Sequence, residues 1–183
     1  MPILRRSFWD TMWKWLTALM LLLLFSCAAL AEGVEEVNWS DIEGTLAEAG
    51  VNGEFVNFDE IAVKIWIPEG LEAVELTDED REAGYIGYFQ NEEAQLAVVY
   101  ANVDGMSIED YAAQLAEMDG IQEIAMLNIN GLPGVRYQMT ENDSLNIAFA
   151  TEAGYILEVT MAPLSADGAA VVWGVVGASI QAE

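Results

Sequence analysis

The chain has 183 residues, with 31 acidic and 6 basic side chains, no histidine and one cysteine, and its net charge is −25. An acidic surface of this kind repels nucleic acid and anionic lipid, because both bind proteins through clustered lysine and arginine. The lack of histidine removes the commonest general base and transition-metal ligand, so we expect neither an enzyme nor a bound cofactor.

Residues 1–31 have the pattern of a signal peptide. Two arginines and a lysine flank the start of an uncharged apolar run at 15–25, and Ala29-Leu30-Ala31 follows as a small-x-small cleavage signal. The run is shorter than the roughly 20 apolar residues that a membrane-spanning helix needs. We therefore expect export across the cytoplasmic membrane, to the cell surface or the medium, with cleavage favoured over a retained anchor.

Cys27 offers a second interpretation of this segment. The sequence Leu24-Phe25-Ser26-Cys27 resembles a bacterial lipobox, in which the cysteine is lipidated and becomes the first residue. Phe25 departs from that pattern, since a small or aliphatic residue is usual there. Cleavage after Ala31 is favoured, and a lipid on Cys27 is the alternative. Beyond the signal segment, that lipid would be the chain's means of contacting a membrane.

Residues 32–51 are predicted to form an acidic leader, at 32–38, followed by a short helix. Ser40 and Glu43 have the spacing of a capping box, and Gly50 is a natural helix end. The folded domain is then expected at residues 52–183, which is long enough for one hydrophobic core without disulfides.

Residues 52–68 carry the first strong β signal and are predicted to form the hairpin that opens the main sheet. In its second half, alternate apolar side chains would face the core, and these are Ile61, Val63, Ile65 and Ile67. Lys64 and Trp66 fall on the opposite face. That face is either the floor beneath a covering helix or a patch for a partner, so both residues are candidates for binding.

The segment at 77–82 is strongly charged and is predicted to be a loop. Asp78 and Asp80 have the alternate spacing of a calcium loop, and they are the candidate metal ligands. The glycine and the distal glutamate of an EF-hand loop are absent, so a solvated turn or a short helical cap is the favoured interpretation.

A second strand pair is predicted at residues 85–89 and 95–100. Gly87 lies inside the first of these strands, which indicates a bulge or the close approach of another group. One interpretation is room for a ligand beside Tyr85 and Tyr88, and both tyrosines are therefore candidate binding residues. The other is that they are ordinary core aromatics.

Two longer helices are predicted. The first begins after Ser107, whose hydroxyl can cap it, and ends at Gly120. The second covers residues 168–181. Its centre is rich in β-branched residues, so periodicity alone does not exclude a strand, but its length and its capping residues favour a buried helix.

Between these helices, segments 135–139, 145–149 and 155–161 alternate and predict a meander. If all the apolar residues share one face, the loops between the strands must have odd lengths. Three-residue loops at 141–143 and 152–154 meet this condition. The predicted register places one inward row across the three strands, at Val135, Phe149 and Leu157.

The same register aligns Arg136, Ala148 and Glu158 on the outer face. Because Ala148 is small, Arg136 could lean across it, and a cross-sheet ion pair between Arg136 and Glu158 is predicted. The alternative, Arg136 as an anion receptor, is less favoured because no second cation lies near it in the sequence.

The hairpin ends in the motif IWIP at 65–68, and a turn predicted at 130–134, before the first meander segment, contains GLPG at 131–134. Together with the strand pair, the capped helix, the meander and the closing helix, this order resembles the PsbP-like fold family over residues 52–180. The resemblance implies an α+β fold, an antiparallel sheet flanked by helices in α/β/α order. Members of that family mostly act as binding or assembly accessories without a common catalytic site, and none of their site residues can be carried over.

These observations predict an exported, non-catalytic binding or accessory protein of the bacterial cell envelope. Its partner would be another envelope protein or a small ligand, recognised through an aromatic patch. Two alternatives stay open. One is an envelope hydrolase that uses only carboxylates, and the other is a surface protein that binds calcium weakly.

Overall fold

The computed structural model describes residues 33–102, 104–151 and 153–183. The predicted signal peptide, the cleavage site after Ala31 and Cys27 lie outside these residues. Within the described ranges, no helix has the length and apolar character needed to cross a membrane.

The described residues form eleven strands, four α-helices and two short 3-10 helices. In chain order they are β1 (Glu35–Val37), a 3-10 helix (Trp39–Asp41), α1 (Glu43–Ala49), β2 (Gly53–Phe58), a second 3-10 helix (Asp59–Ile61), β3 (Val63–Pro68), β4 (Glu72–Ala73), α2 (Asp78–Glu82), β5 (Tyr85–Gln90), β6 (Gln95–Asn102), α3 (Ile108–Ala116), β7 (Ile121–Ile129), β8 (Leu132–Met139), β9 (Ser144–Ala150), β10 (Ile156–Ala162), α4 (Ala169–Ala178) and β11 (Gln181–Ala182). The α+β fold class predicted from the sequence is confirmed.

The strands form two sheets. The main sheet has eight strands in the order β1-β7-β8-β9-β10-β6-β5-β4, and the small sheet has three in the order β11-β3-β2. Every pairing is antiparallel except that of β1 with β7. The predicted meander is thus the centre of the main sheet. The segment expected to be a leader contributes its edge strand β1.

Helices cover both faces of the main sheet. On one face, Ile108 and Leu115 of α3 pack on Val135 and Ala148. On the other face, α4 and the small sheet form a larger core around Trp173, which is fully buried. Both long helices were predicted, and Ser107 caps α3 as expected, accepting a hydrogen bond of 3.1 Å from the backbone N–H of Asp110.

The hairpin of β2 and β3 exists, but it does not open the main sheet. It pairs instead with β11 at the C-terminus, where Gln181 lies opposite Lys64. Val63, Ile65 and Ile67 are buried as predicted, and Trp66 on the other face is buried too. Both faces of β3 are covered. The alternation of its side chains therefore predicted buried residues correctly, but it could not predict which sheet the strand joins.

One register prediction is confirmed and one is wrong. Ala148 lies opposite Glu158, and Phe149 lies opposite Leu157, as expected. Between β8 and β9, however, the loop has four residues, so Val135 faces Ala148 and not Phe149. The parity argument failed because both faces of β9 are buried, with its first six residues in the interior. The apolar side chains of β9 are therefore buried whichever face of the sheet they point to.

Because of this one-residue difference in register, the two residues of the predicted ion pair lie on opposite faces of the sheet. Arg136 lies opposite Ile147, on the face that packs against α4, whereas Glu158 lies on the face beneath α3. The ion pair between Arg136 and Glu158 is therefore wrong.

The predicted turn at 130–134 is also too long. The chain reverses within Asn130-Gly131 alone, whose φ angles of 50° and 90° are those of a two-residue hairpin turn.

Candidate ligand-binding cleft

A cleft of about 480 Å³ lies between α4, the segment from β1 to α1, and the face of β7, β8 and β9 that packs on α4. Ligand sites in proteins commonly have volumes of roughly 300–1,000 Å³ and mostly apolar linings. The floor here fits that description, because it consists of Leu127, Ile129, Leu145 and Ile147. The surrounding fold thus offers a concave, apolar surface of ligand size.

Small residues on α4 account for the opening. At Gly177 the helix lies directly on the sheet, because a Cβ built there would fall 2.1 Å from Cδ1 of Ile147. One turn earlier, a Cβ built at Gly174 would meet no atom within 4 Å. Gly174 and Ala170 are exposed and line the cleft. The helix therefore contacts the sheet at Gly177. Elsewhere along the cleft, its small side chains leave the space between the helix and the sheet unfilled.

Arg136 projects from β8 into the lining of this cleft, and it is the one basic side chain among the described residues that line it. The residue is half-buried, beside the apolar floor. Among residues 33–102, 104–151 and 153–183, its guanidinium has neither a hydrogen bond nor an ion pair. Its N–H groups face the cleft without a bonded carboxylate from the described residues, so the site is suited to receive an anionic group.

Three carboxylates complete the charged lining: Glu35 on β1, Asp41 in the first 3-10 helix, and Glu123. Glu123 sits at an irregularity of β7 with a φ of 51° and accepts a hydrogen bond of 2.5 Å from Nε2 of Gln138. Asp41 and Glu123 are exposed, and Glu35 is half-buried. The cleft therefore combines one cation, three anions and an apolar floor.

Asn130 joins the two walls of the cleft. Its side-chain oxygen accepts a hydrogen bond of 2.7 Å from the backbone N–H of Trp39. Its amide nitrogen donates to the carbonyl oxygens of Ala178 and Ile180, at 2.8 and 2.7 Å. One side chain thus fixes both the segment after β1 and the end of α4. The Asn-Gly pair predicted a turn, but contacts to residues so distant in sequence leave no local pattern.

On the opposite face of the sheet, Glu158 is held by three hydroxyl groups. Its carboxylate accepts hydrogen bonds from Tyr111 of α3 at 3.1 Å, from Thr160 at 3.1 Å and from Tyr137. Burial, and then the charge of Glu158, raise the pKa of both tyrosines well above the ordinary value. This cluster ties α3 to the sheet and takes the place of the predicted ion pair.

The raised tyrosine pKa values make stability sensitive to alkaline pH. Above a pH of about 10, Tyr111 and Tyr137 ionise in the unfolded chain while they stay neutral in the folded one, so the free energy of unfolding should fall as pH rises. We expect Tyr137→Phe to weaken this dependence, and the exposed control Tyr155→Phe to leave it unchanged. Urea unfolding at a series of pH values measures both. Equal pH dependence in the wild type and in Tyr137→Phe would contradict the prediction.

The aromatic candidates from the sequence lie elsewhere. Trp66 is buried, 6.0 Å from the ring of Trp39, and its backbone N–H donates to Oγ of Ser179 at 2.8 Å. The ammonium of Lys64 lies 5.1 Å from the ring centroid of Phe55, within the range of a cation–π contact. Neither residue contributes to the lining of the cleft, and Trp66 belongs to the core.

Tyr85 and Tyr88 form an edge-to-face pair with ring centroids 6.5 Å apart, near the β4 edge of the main sheet. The hydroxyl of Tyr88 donates to Oε1 of Gln95 at 2.8 Å. The room expected at Gly87 is occupied, because a Cβ built there would lie 2.6 Å from the ring of Phe58. The glycine therefore admits a core phenylalanine and not a ligand.

Asp78 and Asp80 lie in the short helix α2. Asp80 forms a capping box with Thr77, accepting hydrogen bonds of 2.8 Å from its backbone N–H and 2.7 Å from its hydroxyl. These bonds lower the pKa of Asp80. In the described part of the chain, no group of three or more acidic or cysteine side chains is placed to hold a metal ion. The helical cap matches the favoured interpretation of this segment, and calcium binding stays a prediction.

The chain matches no family model and no curated protein. Among solved structures, it is similar to cyanobacterial PsbP (CyanoP) from Synechocystis sp. PCC 6803, with 13% sequence identity and a TM-score of 0.51. The match covers 73% of this chain and 94% of that one. The chain therefore has a PsbP-like fold, as the order of its elements indicated, and at this identity the similarity shows the fold alone.

Proposed function

We propose that this protein is an exported, non-catalytic binding protein of the bacterial cell envelope, and that its ligand occupies the cleft beside α4. The observation that carries the proposal is Arg136, a half-buried residue that lines the cleft beside an apolar floor and whose guanidinium has no hydrogen bond or ion pair with the described residues. Binding sites typically combine such a floor with a few polar groups that orient the ligand.

Binding is favoured over catalysis by the carboxylates of the cleft. A hydrolase that uses two carboxylates needs an acid whose environment keeps it protonated, and this usually means burial. Asp41 and Glu123 are exposed, and Glu123 is engaged with Gln138. The sequence adds that no histidine is present to act as a general base.

Export rests on the sequence of residues 1–31. We expect N-terminal sequencing of protein recovered from the cell surface or the medium to begin at Glu32. An N-terminus at Cys27, or recovery of the intact chain from the cytoplasm, would contradict cleavage after Ala31.

The cleft itself is tested by filling it. Gly174→Leu should place a side chain in the cleft, because Gly174 lines it and a Cβ at this position meets no atom within 4 Å. With anilinonaphthalene sulfonate as an anionic apolar probe, we expect fluorescence-detected binding to wild type and to Gly174→Ala, and loss of at least about tenfold in affinity in Gly174→Leu. Thermal unfolding checks that both variants are folded. Unchanged affinity in a folded Gly174→Leu variant would overturn the proposed site.

A further inference from the structure

Building on the proposed function, we propose that the ligand is a short apolar peptide bound as a zwitterion. Its terminal carboxylate pairs with Arg136, its terminal ammonium lies beside Glu35, and its side chains rest on the apolar floor. The assignment follows from the charges in the cleft, their spacing along the sheet, and the chemistry of the groups that face it.

Arg136 is suited to the carboxylate end. A guanidinium presents its N–H groups in a planar fork that matches the two oxygens of a carboxylate. No carboxylate among the described residues occupies that fork. Glu123, the acidic residue on the neighbouring strand β7, is held by the amide of Gln138. The guanidinium is therefore available to a carboxylate from outside the chain.

Glu35 is suited to the ammonium end. It lies opposite Leu127, which lies opposite Gly134, two residues before Arg136 on β8. Two strand spacings and a two-residue rise put the Cα atoms of Glu35 and Arg136 about 12 Å apart. A dipeptide spans at most about 7 Å when it is extended. Both side chains can bridge the remaining distance by leaning inward over the floor.

The placement of Arg136 and Glu35 at opposite ends of the floor favours a zwitterion over an ion of one sign. A ligand with only an anionic group, such as anilinonaphthalene sulfonate, would pair with Arg136 but make no favourable contact with Glu35 at the other end of the floor. A ligand with only a cationic group would meet Arg136 without compensating it. A peptide with both termini free satisfies both ends and carries no net charge into an already acidic protein. The apolar floor then favours aliphatic side chains.

Isothermal titration calorimetry of the exported chain tests this with three probes: Leu-Leu, N-acetyl-Leu-Leu and Leu-Leu amide. We expect Leu-Leu to bind, and each blocked peptide to bind about tenfold or more weakly, since each loses a charge-assisted contact. Arg136→Gln should weaken Leu-Leu by a similar factor, while Arg81→Gln, an exposed change on α2, should not. Glu35→Gln should reduce the discrimination against N-acetyl-Leu-Leu.

The outcomes separate this inference from the function on which it rests. If the blocked peptides bind as tightly as Leu-Leu, or if folded Arg136→Gln binds Leu-Leu normally, the zwitterion assignment is overturned. If no peptide binds while Gly174→Leu still abolishes binding of anilinonaphthalene sulfonate, the peptide class is wrong and the cleft stands. If Gly174→Leu leaves the binding of every probe unchanged, both proposals fail together.

Discussion

Replacing Asn130 by alanine is expected to lower the free energy of unfolding by about 3–5 kcal/mol. The change removes the acceptor of the Trp39 N–H and the donor to the carbonyl oxygens of Ala178 and Ile180. It also puts a Cβ without a compensating hydrogen bond at a φ of 50°. Urea unfolding followed by tryptophan fluorescence measures the loss.

Two further variants separate the hydrogen bonds from the backbone strain. Asn130→Gly relieves the strain, so it should recover about 1 kcal/mol of the loss. Asn130→Asp keeps the acceptor for Trp39 but turns a carboxylate towards two carbonyl oxygens, so it should be as harmful as alanine. Asn57→Ala, at an exposed position of β2, is the matched control and should change stability by less than about 0.5 kcal/mol. A loss below about 1 kcal/mol in Asn130→Ala would contradict the role assigned to this side chain.

The sequence predicted the elements of this fold better than their arrangement. Local signals were sufficient for α3, with its cap at Ser107, and for the register of β9 and β10, which Gly154 helps to set through a left-handed turn. Local signals failed where the arrangement of a strand depends on which other elements cover its two faces. The parity of β8 relative to β9 is one such case, because each face of the sheet has its own covering layer.

The same limit explains why the cleft was not predicted. The sequence disfavours Arg136 as an anion receptor, because no second cation lies near it along the chain. Arg136 is a candidate because of its position in the fold. The observed register of β8 and β9 points it towards α4, where small residues leave room. Burial of Trp66 likewise depends on its contact with Trp39, which precedes it by 27 positions and directly follows the segment predicted to be a leader.

The contrast between Gly174 and Gly177 tests the geometry of the cleft through stability alone. Both glycines lie in α4, three residues apart, and in both cases alanine improves the intrinsic helix propensity by about 0.5–1 kcal/mol. At Gly174 nothing opposes that gain, so Gly174→Ala should raise the free energy of unfolding by about that amount. At Gly177 the new methyl group meets the buried side chain of Ile147, whose displacement in a packed core costs about 1–3 kcal/mol.

Gly174→Ala should therefore be the more stable of the two alanine variants, by about 1–3 kcal/mol in urea unfolding. Ile147→Val removes Cδ1, the atom that the new methyl group would meet, so the double variant Gly177→Ala/Ile147→Val should lose less than the sum of the single changes. If both alanine variants stabilise the protein equally, α4 does not lie against the sheet at Gly177. The small residues of α4 would then not explain the opening beside Gly174.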